Sequence, residues 1–284
     1  MSTDSAPITT IDTTLLLDGL KFPECPRWRE DRLWFSDMHA HRVMTVDLEG
    51  RAEVVAEIED DRPSGLGFLP DGTPLVASVD KRLVLRIENG ATSVHADLTS
   101  LPAEWLNDMV VDGNGRAFVD VLTHHKDPGG DEPVDRIVCV EPDGTWKVAA
   151  EGVLRPNGVV ITADGSQLIH ASTLRRKLIS WTINDDGTLT DPALWADTKR
   201  WTPDGICYDA EGAIWIGGLS KQHFVRVLPT GEFERTIEVP DRWATACMLG
   251  GHDGRTLFMA TAEREAGRGY IETIEVDVPG AGWP

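Results

Sequence analysis

Short apolar runs, each closed by a polar turn, recur along the whole chain. A turn pair stands at Asp71-Gly72, Asn114-Gly115, Asp164-Gly165, Glu211-Gly212 and Asp253-Gly254, and Glu30-Asp31 takes the same place before Leu33. An apolar run such as GLGFLP, MVVDG, GVVIT or GICYD precedes most of these pairs. A strand-like run follows each: LWFS, PLVASV, RAFVDV, QLIHAS, AIWIGG and TLFMAT. Asp-Gly between runs of this kind predicts a β-hairpin. A third run often follows, as in RVMTVD, LVLRIE, RIVCVE, LISWTI and FVRVL.

Seven residues before each turn lie Glu24, Ser64, Asn107, Asn157, Asp204 and Ala246, at intervals of 40, 43, 50, 47 and 42 residues. A period in the forties with about four strands per unit is the mark of a propeller blade. The chain is therefore expected to be all-β, a six-bladed β-propeller with about four antiparallel strands per blade. It should form a single domain over 1–284, with residues 1–6 as a disordered tail. Almost no pattern of period 3.6 competes with this reading. The extended stretch Pro7 to Leu17 is left over before the first unit and predicts an N-terminal strand that closes the last blade. One loop, Thr123 to Asp135, is polar, rich in Gly and Pro, and longer than a hairpin needs. Such a loop is either a rim over a functional site or a mobile connection.

Composition narrows the function. The net charge is −20, and a surface of that sign repels phosphate backbones and anionic lipids, so neither nucleic acid nor a membrane surface is an expected partner. No run of about 18 apolar residues exists to span a bilayer. The first residues lack the basic head and apolar stretch of a secretory signal, which predicts a cytoplasmic protein. Cys25, Cys139, Cys207 and Cys247 are scattered without a CxxC pair, as expected of reduced core thiols.

The innermost strand of each blade starts near the channel, so the six register positions should converge there. Glu24, Asn107, Asn157 and Asp204 bring carboxylate or amide oxygens to that point. Turn chemistry explains any one of them, but it does not require four to share a register. Two carboxylates forced together repel unless a cation lies between them. An all-oxygen donor set without Cys or His suits one divalent metal ion, Ca²⁺ first, with Mn²⁺ or Mg²⁺ as alternatives, and Zn²⁺ also accepts carboxylates.

The segments ECPRW at Glu24, FSDMHAHRVMTVD from Phe35, LNDMVVDGNGRAF from Leu106, RPNGVVITADG from Arg155 and TPDGICYDAEGAIWIG from Thr202 resemble the senescence marker protein 30, gluconolactonase and luciferin-regenerating enzyme family. The resemblance implies a six-bladed propeller with one divalent ion held by Glu24, Asn157 and Asp204. It also implies that Asn107 reaches metal and substrate, and that Asp204 is the general base. Two positions depart from the family's sugar-lactone hydrolases. Trp105 stands where an Arg is usual, and His125 falls where an acidic residue is usual. Both changes remove partners for sugar hydroxyls, and Trp105 offers a flat apolar wall.

The expected activity is thus metal-assisted hydrolysis of a small-molecule lactone less polar than a sugar lactone, with Asp204 and Asn107 catalytic. Trp105, Trp201, His125 and Asn107 are expected to contact substrate. A non-hydrolytic reaction at the same metal (isomerisation, dehydration or condensation) and a non-enzymatic binding propeller are the alternatives, since a fold does not dictate a chemistry. No GxSxG motif supports a serine hydrolase. His39, His41 and His124 are expected at the surface, and Trp34, Trp181 and Trp215 between blades.

Overall fold

The computed structural model describes residues 8–9, 13–123, 135–263 and 267–281. It has six antiparallel four-stranded sheets, one of them extended by a two-residue edge strand, arranged as six blades in chain order. The innermost strands are Pro23–Arg29, Pro63–Phe68, Trp105–Val111, Pro156–Ile161, Pro203–Tyr208 and Trp243–Gly250. Both faces of a blade are covered, so its inner strands are apolar almost throughout. The core is accordingly divided into six clusters of buried side chains, one in each seam between neighbouring blades. No helix among the described residues is long and apolar enough to cross a membrane.

The turn pairs close the inner hairpins as their chemistry requires. Asp71, Asp112, Asp164, Asp209 and Asp253 each accept a main-chain N–H from two residues further on, the Asx geometry that holds a turn shut. In the first blade Glu30 and Asp31 both take positive φ, 51° and 57°, which makes a two-residue turn of the kind whose twist matches the flanking strands.

The ring closes with the N-terminal segment, as expected from its pattern, but over Thr14–Leu20 rather than from Pro7. Leu17 pairs with Ile271 and Leu20 with Gly269, so the sixth blade combines one N-terminal strand with three C-terminal ones. Ile8 and Thr9 add a short parallel edge to the fifth blade. Residues 1–6 and most of the Thr123–Asp135 loop lie outside the described residues.

Every innermost strand shifts register by one residue near its start. A β-bulge of this kind re-aims the side chains beside it, and here it turns the register residues into the channel. The bulge also corrects one assignment. By strand pairing, the sixth-blade counterpart of Asp204 is Thr245, not Ala246, because Ala244 pairs with Thr261 and Ala246 with Ala260 across the shift. The hairpin that ends this strand is one residue longer than the others, which displaces a count taken from Asp253.

The residue after the register position meets the neighbouring inner strand at the axis. A Cβ on Gly158 would collide with the Asp204 carbonyl and lie 2.7 Å from Gly205 Cα. Gly158→Ala is therefore expected to destabilise the fold by about 1–3 kcal/mol, the usual cost of forcing atoms into a packed core. It should also weaken the adjacent site by pushing the Asp204 backbone. Urea unfolding of the two proteins measures the first effect.

Candidate active site in the central channel

The bulges bring Glu24, Asn107, Asn157 and Asp204 together at one cavity of about 520 Å³, which all four help to line. Side-chain oxygens of two of them are steadied by the next residue's main chain. Cys25 N–H donates to Glu24 Oε2 at 3.3 Å and Gly158 N–H donates to Asn157 Oδ1 at 2.9 Å. Asn107 Nδ2 donates across the seam to Pro156 O at 3.4 Å. Ser64 is buried, with its hydroxyl 3.6 Å from Cys25 Sγ. Thr245 spends its hydroxyl on main-chain carbonyls, Pro23 O at 2.9 Å and Ala260 O at 3.1 Å.

The two carboxyls are almost sealed from solvent, Glu24 being 8% exposed and Asp204 4%. Burial, then the charges of Asp204 and Asp108, push Glu24 well above the usual carboxylate range. Burial and Asp108 push Asp204 up to about 8, against the opposing pull of the Asn157 amide. Desolvation and like charge both disfavour the ionised forms. Two such groups aimed at one point, with neutral amide oxygens beside them, fit a hard divalent cation, whose charge would restore both carboxylates. The set contains only two acidic groups, and no cluster of three or more His, Cys, Asp or Glu suited to a metal occurs among the described residues. A cation held there would need the amides to supply the rest of its shell.

Beneath the site lies a buried ion pair that sequence reasoning missed. Arg27 Nη2 is 3.1 Å from Asp108 Oδ1 and 2.6 Å from Met109 O, while Nε and Nη1 donate to Leu66 O and Pro26 O at 3.1 and 2.9 Å. Arg27 thus ties the first three blades together around the axis. Arg27→Met would strand the Asp108 charge, and about 3–5 kcal/mol of stability should be lost. Asp108→Leu added to it should recover part of that loss, a comparison that denaturant titration of the single and double variants can make. Asp120, in the second strand of the third blade, is fully buried with both oxygens unpartnered among the described residues. Burial, then Asp108 and Asp135, push its carboxyl far up.

The walls of the cavity are apolar on most sides: Phe22, Met38, Val79, Trp105, Leu219 and Trp243 line it, with His39 and Arg62 as polar exceptions. Met38 with His39, and Leu219, come from two short 3₁₀ turns that link the second and third strands of blades one and five. Phe22 stacks on His39 at 4.8 Å and meets Trp243 edge-on at 6.2 Å. Trp105 lines the cavity as its position beside Asn107 suggests. Trp201 does not line it. It is 3% exposed and packs in the seam between blades four and five, against His223 and below Arg200. Its proximity in sequence to Asp204 is misleading, because Trp201 lies before the strand Pro203–Tyr208 and packs into the seam instead. His39 is exposed, as expected, and borders the cavity from that surface position; partial burial and nearby Arg62 lower its imidazole pKa. His41 Nδ1 contacts Asp61 O at 2.6 Å and serves the turn. His124 and His125 lie outside the described residues. Trp34, Trp181 and Trp215 sit in seams between blades.

Comparison with known proteins identifies the family. The chain is 24% identical over 277 residues to a 6-deoxy-6-sulfogluconolactonase of Pseudomonas putida, covering 92% of this chain and 93% of that one. It is 26% identical to a pentonolactonase of Haloferax volcanii, with 96% of each chain covered. In three dimensions it superposes on a calcium-binding regucalcin from Agrobacterium tumefaciens with a TM-score of 0.83 at 20% identity, over 99% of both chains. The family model described as the SMP-30/gluconolactonase/LRE-like region matches residues 22–263. This chain belongs to the SMP-30/gluconolactonase/LRE-like family.

Proposed function

We propose that this chain hydrolyses a small lactone with the help of one divalent cation held by Glu24, Asn157 and Asp204. The observation that carries this reading is the convergence of two buried, mutually repelling carboxyls and two amides at the floor of a single cavity. Relatives named as lactonases along nearly the whole chain support the reaction type. When bound, such a cation polarises an ester carbonyl and acidifies water. Asp204 takes the proton of the attacking water and returns it to the leaving alkoxide. Asn107 holds the carbonyl or the water in line through its amide, and Glu24 with Asn157 fixes the floor. The cavity's aromatic and aliphatic walls lower the local dielectric, which strengthens each of these polar contacts.

The apolar walls Phe22, Met38, Val79, Trp105, Leu219 and Trp243 also favour a substrate whose ring substituents are less polar than the hydroxyls of a sugar lactone. The test is lactone hydrolysis by metal-stripped protein with Ca²⁺, Mn²⁺, Mg²⁺ or Zn²⁺ returned, comparing an alkyl-substituted lactone with gluconolactone. Turnover restored by metal and greater for the alkyl lactone is expected. A protein that binds a divalent ion tightly yet opens neither lactone would overturn the assignment and direct attention to a non-hydrolytic reaction at the same groups.

A further inference from the structure

One layer above the floor, the bulged strands present a second ring. The residues two before the register positions are Phe22, Arg62, Trp105, Arg155, Thr202 and Trp243. Phe22, Arg62, Arg155 and Thr202 lie directly before their strands, and Trp105 and Trp243 open theirs. Its backbone is pinned alike around the channel: the carbonyls of Phe22, Arg62, Arg155 and Thr202 accept N–H groups of Met38, Val79, Thr173 and Leu219 at 2.9, 2.9, 3.2 and 3.1 Å. Phe22, Arg62, Trp105 and Trp243 of this set line the cavity, and Arg155 stands beside Trp105.

Those arginines differ. Arg62 is held by Asp80 through two hydrogen bonds of 2.8 and 2.7 Å, so its charge is already matched. Arg155 has no carboxylate partner among the described residues. Its guanidinium carbon lies 5.5 Å from the centre of the Trp105 ring, and its side chain is half-buried. The backbone there is held at a φ of 47°, with Arg155 N–H donating to Asp135 Oδ2 at 2.7 Å. The chain has 47 acidic side chains for 27 Lys and Arg, so a guanidinium left without a carboxylate beside Trp105, a wall of the cavity, is conspicuous. A half-desolvated cation with no partner lowers stability and is poised for an incoming anion. Stacking on an indole fixes the plane of the fork, so two parallel N–H groups are presented to a carboxylate.

We propose that the lactone taken by this site carries a carboxylate, and that Arg155 binds it while Trp105, Phe22 and Trp243 hold the apolar remainder. This rests on the lactonase reading and specifies its substrate class. Trp105 stands where the resemblance to sugar-lactone hydrolases implies an Arg, and guanidiniums stand on the two flanking blades instead. Arg155 acts on binding and orientation of the substrate, and the reacting ester stays with the floor residues.

The experiment pairs two γ-lactones in the presence of Ca²⁺ or Mn²⁺: one bears a carboxylate on the ring carbon beside the ring oxygen, the other the isosteric primary carboxamide. The native protein should favour the carboxylate in kcat/KM by about tenfold or more, a difference carried mainly by KM. In Arg155→Met the ratio should fall to about one, and Arg155→Lys should keep part of the preference. Binding of the matching cyclopentanone carboxylate and carboxamide, which cannot be hydrolysed, is followed by tryptophan fluorescence. A carboxylate preference in binding that Arg155→Met abolishes, with no hydrolysis of either lactone, would uphold anion recognition and sink the hydrolase. Hydrolysis of both lactones at equal efficiency, a preference unchanged in Arg155→Met, or no binding of either ketone would overturn the proposal.

Discussion

Asp204→Asn is expected to lower kcat for the lactone by about 10²–10⁴-fold while leaving the protein folded. The carboxamide keeps the shape of the side chain and one oxygen donor, but it cannot accept a proton from water. It also brings no charge into a pocket where burial and Asp108 already hold the native carboxyl at about 8. The metal-free variant should therefore be at least as stable as the native chain near neutral pH, because the replaced group was costly to ionise there. Steady-state kinetics with saturating divalent ion, beside thermal melting in chelator, separates the two effects. Retention of a tenth or more of native kcat would remove Asp204 from the role of base. A collapse of the fold would instead show that its carboxylate is structural.

The second large effect is a pH-dependent stability that appears only without metal. In the folded, metal-free chain Asp204 binds its proton up to about pH 8, whereas the unfolded chain releases it near the ordinary 3.8. The folded state then holds more protons than the unfolded one through this interval, so stability falls as pH rises. The contribution is fully present below about pH 4, the unfolded value, and is lost as pH climbs through the folded value of about 8. Glu24 shifts in the same direction, from burial and from Asp204, and steepens the slope. The loss should amount to a few kcal/mol, on the order expected of buried carboxyls. Denaturant midpoints measured across this range in chelator should decline with pH, and saturating Ca²⁺ should flatten the decline because a cation favours both ionised forms. Asp204→Asn should flatten it too. Metal-free protein that becomes more stable toward alkaline pH would contradict this arrangement of buried charges.

Much of the molecule is written locally. Asp-Gly pairs, apolar runs and a spacing in the forties are short-range features, and a blade is a short-range object: four strands joined by hairpins, each nucleated by its own Asx turn. The count of blades follows from the count of turns. The coincidence of Glu24, Asn107, Asn157 and Asp204 in register is legible for the same reason, since each is a constant number of residues from its turn. Thr245 escapes that reading because a single extra residue in one hairpin shifts the count without disturbing the strand.

What only the closed ring decided is which side chains from different blades face one another. Arg27 and Asp108 are 81 positions apart, and nothing in either local pattern marks them as partners. Trp201 and Trp105 look alike in sequence, each within three residues of a register position, yet Trp105 opens its strand and lines the cavity, whereas Trp201 lies before its strand and fills a seam. The ring of Phe22, Arg62, Trp105, Arg155, Thr202 and Trp243 draws one residue from each of six repeats. Its members share a register but no chemistry, so no motif announces them. Periodicity along a chain determines the blades and the floor of the channel. Contacts across the axis depend on closure, and the mouth of the cavity exists only once the N-terminal strand has completed the sixth blade.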